Sequence, residues 1–460
     1  MVRTTSFFVC QSCGAQTKKF FGRCSSCGDW NSLIEQSAQS IDGRLRRNSV
    51  DFDQEPRSIK SMPMASLKEN PLLRLGSGYQ EFDRVLGSGL VPGSLVLLGG
   101  DPGIGKSTLL LQSATAMAIS RSVLYVSAEE SAQQVKLRWN RLKGAETNLH
   151  LLAETDLENV LKELESLRPE VAIVDSIQAL HDAELSSAPG SVAQVRECAA
   201  ALQRLAKKLS IAMILVGHVT KEGLLAGPKV LEHLVDAVLT FEGDRFASHR
   251  LLRAVKNRFG ATNELGVFEM QGRGLSEVIN PSKLFLSGTS AAGIATIVAC
   301  EGTRALLVDV QALVSSTSYP SPRRTATGVG TNRLHQILAV LEKHMGFPLS
   351  RYDCYLAVAG GLEVEEPASD LGIAAAIVSS FKDVSLPKGT VLIGELGLGG
   401  QLRPVGQISQ RLQEAERLGF NRAVVPRGSG LESIGFLKSI ELIQVVNINE
   451  AIIMSLEVDK

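Results

Sequence analysis

From residue 71 to about residue 275 the chain alternates two kinds of stretch. Short apolar runs rich in β-branched residues occupy Ser94–Leu98, Val123–Ser127, Val171–Asp175 and Ile211–Gly217. Longer amphipathic segments separate them: Lys106–Ile119, Ser131–Leu142, Leu157–Leu167 and Val192–Leu209. That alternation predicts βαβ units and a largely parallel sheet, an α/β fold. The pattern changes near residue 285. Ile294–Cys300 and Arg304–Leu313 read as two strands around Glu301-Gly302, a hairpin. Leu334, Ile337, Leu338, Leu341 and Met345 then recur at helical spacing until Gly346 and Pro348 end the helix. A second, α+β domain is expected there.

Four segments follow from this reading: a cysteine cluster at 1–34, a polar linker at 35–70 containing Pro56 and Pro63, the α/β domain at 71–275, and the α+β domain at 285–460. The chain has 460 residues, enough for two or three buried cores. Lys+Arg and Asp+Glu number 48 each, so no global basic field marks a nucleic-acid partner and any such contact must be local. No apolar stretch approaches the roughly 18 residues of a membrane span, and Met1 to Cys10 lacks the layout of a signal peptide. A cytoplasmic protein is expected.

Four of the seven cysteines fall in two CxxC pairs, Cys10/Cys13 and Cys24/Cys27, each followed by a glycine, Gly14 and Gly28. A CxxC turn lets two thiolates meet one metal, and four thiolates complete a tetrahedral Zn²⁺ shell with no open position, so the site is expected to be structural. So short a segment buries no core of its own and would be folded by its metal. Redox pairs or a rubredoxin-type iron site are the alternatives. Lys18, Lys19, Arg23, Phe20 and Phe21 lie between the pairs and suit nucleic acid or a protein equally.

Gly100-Asp101-Pro102-Gly103-Ile104-Gly105-Lys106-Ser107, with Thr108 after it, matches G-x-x-x-x-G-K-[ST] between an apolar strand and a helix. Glycines let backbone N–H groups converge on phosphates, and the helix start adds partial positive charge. Lys106 is assigned to the β- and γ-phosphates of ATP and Ser107 to Mg²⁺. Ala172-Ile173-Val174-Asp175 is an apolar strand ending in a carboxylate, which assigns Asp175 to the Mg²⁺ shell. Leu124 to Ser127 is a strand followed by Glu129 and Glu130. Glu129 is the candidate to polarise the attacking water, with Glu130 its near competitor.

This order of parts resembles the RecA/DnaB superfamily. Lys256-Asn257-Arg258-Phe259-Gly260 further resembles the KNRFG signature of the bacterial RadA (Sms) family, as do Tyr125 to Ser131, Gly217 to Gly223 and the N-terminal cysteines. The resemblance covers nearly the whole chain. It implies a RecA-like core in a homo-hexameric ring, with nucleotide between subunits and Lys256 and Arg258 reaching a neighbour's γ-phosphate. It implies that His218 senses that phosphate. It implies that residues 182–191 and 220–229 line a DNA channel, with Lys221 and Lys229 on phosphates. The function implied is a DNA-dependent, helicase-type ATPase that binds single-stranded and branched DNA and works in branch migration with the RecA recombinase.

Residues from about 285 onward resemble the proteolytic domain of Lon. On Gly372-Ile373-Ala374 the serine of its Ser–Lys dyad falls on Asp370, and the lysine falls on Ser409. Neither residue supplies the dyad chemistry, so a scaffold without peptidase activity is expected. Arg323 and Arg324, in the Ser/Thr/Gly-rich stretch Ser315–Thr331, are its candidate DNA contacts. The competing readings are an ATP-dependent peptidase with a zinc-finger receptor and a clock-like kinase or nucleotide-gated scaffold on the same core.

Overall fold

The computed structural model describes residues 6–10, 16–17, 19–25, 28, 30, 33–37, 74–144, 147–217, 229–243, 248–428 and 439–456. The chain divides into two compact units, Met1–Glu277 and Val278–Lys460.

At the N-terminus β1 (Ser6–Cys10) pairs antiparallel with β2 (Gln16–Thr17) and β3 (Leu33–Ser37). Strand β3 crosses the expected boundary between cysteine cluster and linker, because Ser37 still pairs with Ser6.

The large sheet of the first unit is built from β4 (Leu95–Gly100), β5 (Val123–Ser127), β6 (Leu149–Ala153), β7 (Val171–Asp175), β8 (Ala212–Val216), β9 (Ala237–Glu242), β10 (His249–Asn257), β11 (Leu265–Gln271) and β12 (Gly274–Glu277). Their order is β12-β11-β10-β9-β4-β8-β7-β5-β6. The six strands from β9 to β6 are parallel, and β10, β11 and β12 add an antiparallel edge. The helices are α1 (Gln80–Leu86), α2 (Lys106–Met117), α3 (Ala132–Arg141), α4 (Leu157–Leu167), α5 (Val192–Leu209) and α6 (Lys229–Leu234). Strands β4, β5, β7 and β8 are buried along nearly every residue, which is why they read as unbroken apolar runs. One face packs Tyr125, Ile173 and Ile214 on α1 and α2, with Phe82, Leu109 and Leu110. The other packs Leu124, Val174 and Leu215 on α4 and α5, with Val160, Leu164 and Leu202. Local signals agree with the helices: Ser131 and Gln134 form a capping box on α3, and Ser191 accepts from the Gln194 amide at the start of α5.

In the second unit β13 (Ile294–Glu301) and β14 (Arg304–Ser316) form the expected hairpin, Glu301 facing Arg304. With β15 (Arg324–Thr327), β16 (Tyr352–Val358), β17 (Thr390–Leu392), β20 (Arg422–Pro426) and β21 (Glu441–Val445) they make a sheet of order β15-β16-β14-β13-β17-β20-β21. The short β18 (Glu395–Leu396) and β19 (Leu402–Arg403) pair apart from it. The helices are α7 (Ser282–Phe285), α8 (Thr331–Met345), α9 (Asp370–Lys382), α10 (Ile408–Arg417) and α11 (Ile448–Leu456). Helix α8 ends at Gly346 in the left-handed conformation, as the apolar spacing predicts. Helix α9 is buried from Asp370 through Ser379. On one face of the sheet Ile408, Leu412 and Ala415 of α10 meet Val298, Leu307 and Val391. The Ser/Thr/Gly-rich stretch Ser315–Thr331 is partly strand: β14 runs on to Ser316, and Arg324 opens β15 against Cys354.

Candidate nucleotide site

Parallel strands end on one edge of their sheet, and side chains just beyond those ends converge there. Here the ends are Gly100 of β4, Val216 of β8, Asp175 of β7 and Ser127 of β5. Strand β8 lies between the phosphate-loop strand and the Asp175 strand, and Ser127 pairs directly with Asp175.

The loop from Gly100 runs into α2 at Lys106. Gly100 and Gly105 sit at φ 154° and 118°. A Cβ on Gly100 would come within 2.5 Å of the Phe241 carbonyl oxygen, so only glycine closes this turn. Lys106 is 5% exposed, and its ammonium donates to the carbonyls of Gly100 at 2.6 Å and Asp101 at 2.9 Å. Burial lowers the Lys106 pKa, while Asp175, Glu129 and Asp101 pull it back up. Two carboxylates from separate strands thus act electrostatically on one buried amine.

Beyond β5 the backbone turns sharply. The Ser127 hydroxyl donates to the Glu130 carbonyl at 2.7 Å, and the Ala128 amide donates to the Asp175 carbonyl at 2.8 Å. This turn sends the neighbouring glutamates different ways. Glu130 is held in an ion pair by Arg138 of α3. Glu129 accepts from the hydroxyl of Ser176, next to Asp175. Asp175 itself accepts from the Tyr125 hydroxyl at 2.6 Å. Neither the Tyr125 nor the Ser176 contact was anticipated from sequence. Tyr125 pairs with Ile173, so Asp175 lies two residues along on the same face of the sheet, within diagonal reach of a long side chain. Only register reveals that. Such an arrangement suits a magnesium nucleotide: glycine-backed amides and an ammonium for phosphates, Ser107 and Asp175 for the cation, and Glu129 for a water.

Lys256 and Arg258 are not part of this constellation in their own chain. Lys256 lies at the end of β10 and Arg258 just beyond it, where Asn257 pairs with Ala237 at the start of β9, and Ala237 pairs with Val96 near the start of β4. Gly100 lies at the other end of β4, about 13 Å from Val96 at strand rise. The Lys256 ammonium donates to the carbonyls of Glu232 and, at 2.9 Å, Val235. Its pKa is lowered by desolvation and then by Arg258. Arg258 pairs at 3.1 Å with Asp236, a buried carboxylate that also accepts from the Leu95 amide at 3.0 Å. The guanidinium is 53% exposed.

His218 and Lys221 lie outside the described residues, and Lys229 opens α6. Residues 182–191, which the resemblance places along a DNA channel, are organised around the buried Gln194. Its amide group accepts from the Asp182 amide at 2.8 Å and donates to the carbonyls of Asp182 at 3.1 Å and Ser187 at 2.9 Å. Cys13 and Cys27 also lie outside the described residues. Cys10 closes β1 and Cys24 is buried. The Gly28 amide donates to the Cys24 carbonyl at 2.9 Å with Gly28 at φ 80°, a reversal that fits thiolates drawn to one centre.

In the second unit Asp370 is fully buried and held by Arg333, with Nε to Oδ1 at 2.6 Å and a second contact from Nη2 to Oδ2. Its Oδ2 also accepts from the Leu396 amide at 2.9 Å. The Ser369 hydroxyl donates to the Glu366 carbonyl at 2.8 Å, and Ser409 is exposed on α10. The Arg323 guanidinium stacks on Tyr319 with 3.7 Å between its centre and the ring centroid.

Comparison with known proteins adds the following. A family model described as AAA domain matches residues 78–224, one described as rubredoxin metal binding domain matches 8–35, and one described as subunit ChlI of Mg-chelatase matches 325–429. Over its length the chain is 54% identical to the DNA repair protein RadA of Synechocystis sp., covering 99% of this chain and 95% of that protein. It is 49% identical to the DNA repair protein RadA of Bacillus subtilis, covering 99% and 100%. Among solved structures it is similar to a KaiC-like protein of Pyrococcus horikoshii at 20% identity and TM-score 0.39, over 45% of this chain and 100% of the other. That last likeness is too slight to bear on function.

Proposed function

The chain belongs to the family of DNA repair protein RadA, and on that footing we propose that it is a DNA-dependent ATPase that moves along single-stranded DNA and extends branched recombination intermediates, acting with the RecA recombinase. The observation that carries the ATPase part is the meeting of Lys106, Asp175 and Glu129 at one sheet edge. Lys106 and the loop amides hold the triphosphate, Ser107 and Asp175 hold Mg²⁺, and Glu129 orients the water. Mg²⁺, when bound, neutralises phosphate charge in the transition state. Glu130 is unsuited to the base role because Arg138 engages it.

Lys256 and Arg258 act on a neighbour's nucleotide. Their distance from their own phosphate loop and the exposure of Arg258 favour this role, which requires a ring with nucleotide between subunits. A cation supplied in trans is worth about 10³–10⁵ in rate in related chemistry. Lys221 and Lys229 on the channel side, with Arg323 and Arg324 on the second unit, contact DNA phosphates, which positions a strand without reading its sequence. The four N-terminal cysteines bind one Zn²⁺. The second unit is a scaffold without peptidase chemistry, since Asp370 is consumed by Arg333 and Ser409 offers no amine.

The test is ATP turnover with and without single-stranded DNA, joined to strand displacement on a three-stranded substrate with ATP and with a non-hydrolysable analogue. DNA-stimulated turnover and ATP-dependent displacement are expected. Turnover indifferent to DNA would favour a nucleotide-gated scaffold, and casein hydrolysis would favour a peptidase.

A further inference from the structure

We propose that Tyr125 is a positioning residue for the cation-holding carboxylate: its hydroxyl pins Oδ2 of Asp175, leaving Oδ1 as the acceptor for the metal shell. The inference rests on the ATPase reading given above. An aspartate's terminal torsion is broad, so a carboxylate at a strand end rotates unless something holds it. Here one thing does. The Tyr125 hydroxyl donates at 2.6 Å to Oδ2, and among the described residues Oδ1 makes no hydrogen bond.

The holder is itself rigid. Tyr125 is 1% exposed within β5, in one cluster with Val135, Ile173 and Leu111. Its ring also lines a cavity of about 310 Å³ bounded by Leu111, Val135, Trp139, Leu149 and Leu151. Preorganising a charged ligand in this way lowers the reorganisation needed when the cation arrives.

The experiment is a Mg²⁺ titration of ATP turnover in the full chain, wild type against Tyr125→Phe, which keeps the ring and removes only the donor. The half-saturating Mg²⁺ should rise about tenfold, near the low end of what a hydrogen bond to a charged group is worth. Turnover at saturating Mg²⁺ should return to within about threefold of wild type. A purely structural role would lower the melting temperature and leave the Mg²⁺ dependence alone. An unchanged half-saturation point overturns the proposal whatever happens to kcat. Tyr125→Met, which also lacks the donor, serves if the phenylalanine variant folds poorly. Wild-type protein without turnover would defeat the ATPase reading instead. Mg²⁺-dependent binding of a fluorescent ATP analogue would then read the same shift.

Discussion

Replacing Arg333 by methionine isolates what Asp370 does in the second unit. In the native fold Asp370 is fully buried at the start of α9 and draws two hydrogen bonds from Arg333 and one from the Leu396 amide. Arg333→Met removes the guanidinium and leaves a buried carboxylate with one backbone donor. Stripping one partner from a buried pair costs about 3–5 kcal/mol. At about 2–4 °C per kcal/mol for a unit of 150–250 residues, the melting temperature should fall by about 10 °C. Asp370→Asn should cost less, because the Arg333 side chain is 33% exposed and turns to water once unpaired, whereas Asp370 has no such route.

The two variants also differ in sign with pH. Burial pushes the Asp370 carboxyl above its usual value, and Arg333 opposes that shift. Without the arginine the folded carboxyl titrates above the unfolded one. The folded state then binds the extra proton, so stability lost at neutral pH is regained as pH falls through the folded pKa. Melting of the intact chain by circular dichroism from pH 8 to pH 5, following the transition that does not move with nucleotide, should show the Arg333→Met deficit shrinking and the Asp370→Asn deficit widening. A methionine variant no less stable than the asparagine variant, or a deficit flat across this range, would refute the assignment of Asp370 as a buried structural anion.

Glu129→Gln should keep nucleotide binding and reduce turnover by at least about a hundredfold. Wild-type turnover in that variant would transfer the base role elsewhere. Arg258→Ala should leave assembly, measured by analytical ultracentrifugation, unchanged while slowing hydrolysis by about 10³ or more. Mixing it with Lys106→Ala should restore part of the activity, because each mixed interface can pair one intact loop with one intact finger. No recovery on mixing argues against action in trans. Cys24→Ser should lose stoichiometric zinc and unfold the N-terminal segment while ATP turnover persists. Zinc retained at one per chain would rule out the four-thiolate site.

Periodicity and punctuation were enough for the central strands and helices of the ATPase fold, but not for β9 to β12. A strand buried on both faces must be apolar throughout, and a helix lying on a sheet must be apolar on one stripe. Val123–Ser127, Val171–Asp175, Leu157–Leu167 and Val192–Leu209 accordingly begin and end where their patterns do. The phosphate loop was legible for a related reason: its chemistry is local, carried by glycines and a lysine within eight consecutive residues. Strand β6 escaped notice because it sits at the sheet edge with a mixed burial pattern, and β15 because an edge strand of alternating exposure resembles a polar loop.

Tertiary structure alone decided how residues far apart in sequence divide their work. Glu129 and Glu130 are chemically identical neighbours, and they part because Arg138 takes one and Ser176 the other. Tyr125 and Asp175 meet across fifty positions through strand register, while Arg258 and Lys106 follow strands that run antiparallel to each other and so fall at opposite edges of the sheet. Sequence pattern records which side chains must leave water. Which polar atoms then find each other depends on strand order and register, and those are set by the packing of the whole sheet.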